Sequence, residues 1–230
     1  MAYNGEPKAG LSRKGFKVFG TPWEVGRVNS KEMKLTKRQE SILTGIILGD
    51  GFLQSTGMKN ARLRLEHGGK QKEYLLWKAA QFPRLFLGKP THLVRVHPKT
   101  GQSYEYWRHQ SNSTPLLGVW RKRFYPNGHK KIPEDIGVSL DALTLAVWYM
   151  DDGYYYPRDK ASFIYLGRVT REEANIAQTA IVKNFGISVK VYDKKQKGFV
   201  LFFPVEETKK FQAIVRPFML PLFDYKLFSP

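Results

Sequence analysis

The chain has 230 residues, 42% of them hydrophobic and 14% aromatic, which suits one large domain or two modest ones and excludes a disordered tail. Lys and Arg number 38 against 20 Asp and Glu, so the formal net charge is +18, which favours a polyanionic partner, nucleic acid ahead of an anionic membrane. No apolar run approaches the roughly 20 residues of a membrane span, and the absence of cysteine excludes disulfides, thiolate metal sites and thiol nucleophiles.

Residues 1–35 are rich in Gly, Pro and Lys and show no regular period, so we interpret them as a basic N-terminal extension. Their start lacks the apolar core of a secretory signal and the Arg and Ser pattern of a transit peptide. We therefore expect the protein to act where it is made, in an organelle that encodes it or in a prokaryotic cytoplasm.

The first half of the remaining chain begins at Thr36, which forms a capping-box pattern with Gln39. The predicted elements, in chain order, are a helix over 37–49, a strand over 61–66, a helix over 70–86, and a hairpin of strands near 92–97 and 103–112.

The second half repeats this order after a proposed helix cap at Ser139. Thr170 opens a second capping box, and Pro217 stops the last helix. The predicted elements are a helix over 141–151, a strand over 162–168, a helix ending near 185, hairpin strands near 187–193 and 198–203, and a helix over 205–215.

The recurrence, with a period of about 100 residues, predicts an internally duplicated α+β protein and not a solenoid. We place the two repeats at 36–138, with the linker, and at 139–230.

Asp50 and Asp152 occupy matching places in the two repeats, each just after an apolar helix and each followed by glycine. A carboxylate is unfavourable at the negative end of a helix, but a hard divalent cation reverses that argument. The carboxylates and the carbonyls of Gly49 and Asp151 supply the oxygens that Mg²⁺ prefers. Gly-Asp-Gly and Asp-Asp-Gly are also ordinary turn sequences, so the duplication carries this prediction.

Leu43-Thr44-Gly45-Ile46-Ile47-Leu48-Gly49-Asp50-Gly51 and Leu145-Ala146-Val147-Trp148-Tyr149-Met150-Asp151-Asp152-Gly153 resemble the two motifs of LAGLIDADG homing endonucleases. The second motif is similar to that of the single-chain, two-motif subfamily encoded by group I introns. The resemblance implies two pseudo-symmetric αββαββα repeats, with the motif helices at the central interface and two sheets forming a saddle over double-stranded DNA.

The resemblance also implies a monomeric enzyme that hydrolyses a long DNA target with two or three Mg²⁺ ions, for which Mn²⁺ substitutes. Asp50 and Asp152 would be catalytic. Lys130 and Lys226 match the basic residues beside the metals, although Lys131 could take the place of Lys130 in an alignment.

Two departures from the family pattern stand out. Motif one has Gly45 and Gly49 where motif two has Val147 and Asp151, which predicts that close helix packing depends on the first helix. Gly167-Arg168 stands where the family often has a polar pair such as Thr-Gln, so no catalytic role is carried onto it.

Polar side chains that share strand faces are the predicted DNA contacts, since Arg and Gln suit base edges in the major groove. They are Arg62, Arg64, Arg95, His97, Tyr104, Tyr106, Arg108, Gln110, Arg168, Lys190, Tyr192 and Lys194. We expect the five histidines, which lack zinc-ligand spacing, to lie on the surface or face DNA. For each predicted DNA contact on a strand, the alternative is that it only belongs to a charged, solvated sheet face.

Three other functions fit parts of the sequence: an intron maturase that binds structured RNA, a non-catalytic DNA-binding regulator on the same fold, and a basic ribosome-associated protein. Retention of both acidic motif residues favours the nuclease over the regulator.

Overall fold

A computed structural model describes residues 33–228 and shows the same order of elements twice. The first repeat consists of α1 (Lys37–Leu48), β1 (Phe52–Ser55), β2 (Ala61–Gly68), α2 (Lys72–Ala80), β3 (Thr91–Val96), β4 (Ser103–Gln110) and α3 (Pro115–Phe124). After the short linker helix α4 (Ile136–Ser139), the second consists of α5 (Ala142–Asp152), β5 (Gly153–Tyr156), β6 (Ala161–Gly167), α6 (Arg171–Phe185), β7 (Lys190–Asp193), β8 (Phe199–Phe203) and α7 (Val205–Val215). The predicted αββαββα duplication is confirmed.

Each repeat folds its strands into a four-stranded antiparallel sheet, with strand orders β1-β2-β4-β3 and β5-β6-β8-β7. Alternation dictates which face is buried: in β2, Ala61, Leu63 and Leu65 point into the core, while Arg62 and Arg64 lie on the other face. The inner faces pack on the helices, and the opposite faces of both sheets stay open. Among the helices of residues 33–228, none has the length and apolar character to cross a membrane.

The two motif helices, α1 and α5, pack against each other at the centre of the molecule. A Cβ on Gly45 would lie 2.7 Å from both the Thr144 carbonyl oxygen and the Val147 Cβ, so only glycine permits this approach. Gly49 leaves room for the Asp151 side chain in the same way, because a Cβ on Gly49 would lie 2.3 Å from an Asp151 carboxylate oxygen. The predicted asymmetric interface is confirmed: glycines on α1 accept larger side chains from α5.

Several predicted boundaries were wrong. The helix predicted over 70–86 ends at Ala80, because Pro83 cannot continue a helix, although buried apolar residues follow the helix at Phe82, Leu85 and Phe86. Asp141, and not Ser139, caps α5: its carboxylate accepts a 2.7 Å hydrogen bond from the Thr144 amide, whereas Ser139 belongs to α4. Helix α3 was predicted only as part of the αββαββα pattern and was given no bounds, although Thr114 caps it and Pro115 occupies its first turn.

The linker helix α4 is attached to the second repeat. The Asn184 side chain on α6 donates hydrogen bonds of 2.7 and 2.8 Å to the carbonyls of Gly137 and Leu140. The division at 138/139 stays a prediction, and the predicted extension 1–35 lies outside the described residues except for its last three positions.

Candidate active site

The site is built where α1 and α5 end side by side. Asp50 lies two residues after α1 and has 47% of its side chain exposed, while Asp152 is the last residue of α5 and is half-buried. The chain then enters β1 or β5 through a glycine that touches the preceding helix. A Cβ on Gly51 would lie 2.6 Å from the Ile46 carbonyl oxygen, and one on Gly153 would lie 2.3 Å from that of Tyr149. Both glycines are therefore required for the turn that presents each acid.

A buried ion pair joins the repeats directly beneath these acids. The Lys78 ammonium on α2 donates to both carboxylate oxygens of Asp151, at 2.6 and 2.8 Å, and both side chains are fully buried. One of those oxygens also accepts a 3.0 Å hydrogen bond from the Asp50 amide. Asp151 thus fixes the backbone that carries the first acid, from the helix that carries the second.

Lys78 is a site residue that the sequence interpretation missed. The helix α2 buries Tyr74, Leu75, Lys78 and Ala79, so the helical spacing of its apolar face included this lysine. That periodicity was the available signal.

His67 is the other missed residue, and the expectation that it lies on the surface was wrong. It ends the inward row of β2 and is 4% exposed, with Nε2 3.1 Å from the Lys78 ammonium and Nδ1 3.8 Å from an Asp50 carboxylate oxygen. Burial first, and then the Lys78 charge, lower the pKa of His67 to about 4. His109 is likewise buried, against Phe86, because it too points inward from its strand.

The two predicted lysines both reach the helix ends. The Lys130 ammonium donates a hydrogen bond to the Gly49 carbonyl. The Lys226 ammonium is buried under the last turn of α5, where it donates to the Met150 carbonyl at 2.7 Å and lies 3.4 Å from that of Asp151. The carbonyls of Gly49 and Asp151, predicted to lack partners, therefore each have a lysine, though a carbonyl retains a second lone pair.

The charges at the site are concentrated enough to shift proton affinities. Burial, together with the charges of Asp50 and Asp151, raises the pKa of Asp152 to about 7. The pKa of Asp50 is also raised, by desolvation at its carboxylate and by Asp151. Burial lowers the pKa of Lys226 to about 8 against the opposing pull of the carboxylates. The acids repel one another, which is the condition that a bound divalent cation relieves.

The donor set fits a hard cation. Asp50, His67 and Asp151 form one cluster of possible ligands, with one atom from each within 4.8 Å of the others. The Asp151 carboxylate is already committed to Lys78, which leaves the carboxylates of Asp50 and Asp152 and the neighbouring carbonyls as the oxygen donors that Mg²⁺ prefers. These residues form a candidate acidic metal site.

The outer face of the first sheet carries most of the predicted DNA contacts. These residues share it: Arg62, Arg64, Arg95, Tyr104, Tyr106, Arg108 and Gln110. Glu66 lies among them and accepts hydrogen bonds or ion pairs from Arg64, Arg95 and Arg108. His97 lies beyond the end of β3, where its Nδ1 accepts a hydrogen bond from the Thr100 amide in the turn.

The predicted contacts of the second repeat are also exposed. Lys190 and Tyr192 lie on the outer face of its sheet, and Lys194 follows at the hairpin turn. Arg168 lies after β6 and lines a cleft that Gly49, Lys130 and Asp152 also line. It therefore shares a cleft with one of the two acids. These contacts stay predictions.

Two pseudo-symmetric repeats, two acids at the ends of packed helices, and two open sheet faces define the class of two-motif LAGLIDADG proteins. The sequence profile of the LAGLIDADG DNA endonuclease family matches residues 40–211. The chain belongs to this family.

Known proteins agree with that assignment. The chain is similar to the homing endonuclease I-WcaI bound to its DNA recognition sequence, with a TM-score of 0.79 and 25% identity over 87% of this chain and 90% of that one. It is 25% identical to a probable intron-encoded endonuclease of Wickerhamomyces canadensis, over 84% of this chain and 85% of that protein.

The chain is also 30% identical to a RecA protein of Mycobacterium shimoidei, over 84% of this chain and 47% of that protein. It therefore spans about half the length of the RecA relatives that it matches.

Proposed function

We propose that the chain is a site-specific homing endonuclease that makes a double-strand break in a long DNA target by metal-dependent phosphodiester hydrolysis. One observation carries the proposal: the carboxylates of Asp50 and Asp152 lie at the ends of two packed helices, beside two lysines and between two open sheet faces. The likeness to I-WcaI in complex with DNA supports double-stranded DNA as the partner. Since one chain supplies both acids, the active species is a monomer.

The protein's own residues would divide the work as follows. Asp50 and Asp152, with the carbonyls of Gly49 and Asp151, would hold divalent cations, and Mg²⁺ is the natural choice, with Mn²⁺ as a substitute. Bound there, the metal would stabilise charge developing on the scissile phosphate and acidify a water. Lys130, whose ammonium contacts the Gly49 carbonyl, would contact that phosphate, while Lys226, from beneath α5, would add positive charge and hold the second helix end.

Selection of cleaved sites from a randomised or genomic DNA library tests the proposal. With Mg²⁺ the full chain should enrich one long, asymmetric sequence, and a chelator should abolish its recovery. Mn²⁺ should restore cutting.

Two outcomes would contradict the proposal. Specific duplex binding without cutting under any metal condition would indicate a regulator. Tight binding to structured RNA without a selected duplex would indicate a maturase.

A further inference from the structure

The outer faces of the two sheets have equivalent strand positions, but the side chains at those positions differ in polarity. The first strand of each sheet begins at its motif glycine or directly after it, so corresponding cross-strand pairs can be matched between the sheets. In the first sheet Arg64 pairs with Gln110 and Glu66 with Arg108; at the matching points of the second, Phe163 pairs with Phe202 and Tyr165 with Val200. Charged, hydrogen-bonding side chains in one repeat are thus replaced by aromatic and aliphatic ones in the other.

The aromatic side chains of the second sheet touch in one continuous strip across all four strands. The ring centroids of Tyr154 and Tyr156 are 4.5 Å apart, those of Tyr156 and Phe163 are 5.2 Å apart, and those of Phe163 and Phe202 are 5.0 Å apart. Tyr192 then stacks on Phe202 at 5.2 Å. The strip is preorganised by these contacts, since each ring is held by its neighbour.

This strip is not part of the core. The inner face of the same sheet, with Ile164, Leu201 and Phe203 fully buried, already packs on the helices. Tyr154 and Tyr192 are 43% and 40% exposed. Phe163 and Phe202, between them, are half-buried. A contiguous, partly exposed aromatic surface of this kind marks a binding site.

The charges around the strip favour a nucleic-acid occupant. The four strands β5 to β8 contain no arginine, whereas the outer face of the first sheet has four. Lysines border the strip instead: Lys190 lies on the outer face of the second sheet, and the Lys194 ammonium is 6.0 Å from the centroid of the Phe163 ring. Phosphates on either side of a groove can be met by such lysines while the aromatic rings face the groove floor.

In the major groove, the C5 methyl of thymine is the apolar group that distinguishes one base from the others, and aromatic side chains can cover it. Arginine and glutamine instead pair with guanine and adenine edges. We infer that the second repeat reads its half-site through thymine methyl groups, while the first reads the other half through hydrogen bonds. The inference rests on the proposed function, because it places DNA on both outer faces.

Replacing thymine by deoxyuridine, one half-site at a time, tests this inference in the unmutated chain. The probe is the duplex enriched from the randomised library, and the profile of Arg64→Ala identifies which half lies under the first repeat. Deoxyuridine keeps the base pair and the O4 acceptor and removes only the methyl. Substitution under the second repeat should weaken binding about fourfold for each methyl that the strip covers, and under the first repeat by less than about twofold.

Phe163→Ala should abolish the deoxyuridine effect, whereas Val182→Ala, an exposed apolar residue on α6, should preserve it. The wild-type comparison stands alone if Phe163→Ala does not fold. Equal losses in both halves, or no loss in the second, would overturn the inference while leaving the endonuclease intact. Sedimentation showing two copies on DNA for the wild type and one for Phe163→Ala would also overturn it, because a second copy would then cover the strip. Failure to enrich any duplex would instead defeat the proposed function.

Discussion

The buried pair between Lys78 and Asp151 gives the sharpest stability prediction. Both side chains are fully buried, and the pair links α2 of the first repeat to the motif helix of the second. Lys78→Met keeps the length of the side chain but leaves the Asp151 carboxylate buried without its cation, a change that costs about 3–5 kcal/mol. For a chain of this size that corresponds to a fall in the unfolding midpoint of about 6–20 °C.

Removing the second charge should reverse most of that loss. Asp151→Asn is isosteric, so it fits beside Gly49 and its amide oxygen can still accept from the Asp50 amide. The double variant should therefore be more stable than Lys78→Met by at least about 2 kcal/mol. Lys209→Met, which breaks an exposed pair with Glu206, is the matched control and should change stability by less than about 1 kcal/mol.

Thermal and urea unfolding of the four proteins supply the assay. If Lys78→Met matches the wild type, or if the double variant is no more stable than Lys78→Met, the pair does not hold the repeats together as described.

Three further predictions concern the DNA-facing surface and the composition of the DNA complex. Burial alone would raise the pKa of Glu66, but hydrogen bonds from Arg108, Arg64 and Arg95 outweigh it and lower that pKa. The stabilisation from the Glu66 carboxylate should be complete above about pH 4.5 and should vanish as pH falls through its lower folded-state pKa. The difference in unfolding midpoint between the wild type and Glu66→Gln should therefore shrink as the pH is lowered. A difference that stays constant with pH would refute this. In a cleavage profile over all single-base variants of the target, Arg64→Ala should relax the preference at one or two base pairs, by about 1–3 kcal/mol. Lys194→Ala should instead weaken binding on all sequences and flatten the salt dependence of binding. If both profiles keep their shape and only drop in height, Arg64 has an electrostatic role only. Sedimentation of the DNA complex should show one protein chain per target, and two chains would contradict the monomer.

Patterns that extend over several residues predicted the architecture well. The alternation in β2 and the capping boxes at Thr36 and Thr170 report local constraints, and the structure places these elements within a residue or two of their predicted limits. The repeated acidic helix ends located Asp50 and Asp152 because the same short pattern occurred twice. The glycines of α1 also predicted that the close packing of the two motif helices depends on the first helix.

Contacts between distant segments could not be read in the same way. Lys78 and Asp151 are 73 positions apart, and only the packing of α2 against α5 brings them together. Lysine is almost never fully buried without a partner, so its place on an apolar helix face was the one available signal. The chemistry of the second sheet was overlooked for a related reason: the sequence of a short strand does not show which of its aromatic residues share an outer face with those of other strands, and pairing across strands reveals the strip.

Cleavage of the selected target by single-residue variants of the two acids tests the central claim most directly. Asp50→Asn and Asp152→Asn remove one carboxylate each without changing its size, and Asp159→Asn, in an exposed turn of the second repeat, is the control. With Mg²⁺ present, both motif variants should lose double-strand cleavage to background while still binding the target duplex, and the control should cut like the wild type. Full double-strand cutting by either motif variant would contradict the two-aspartate site.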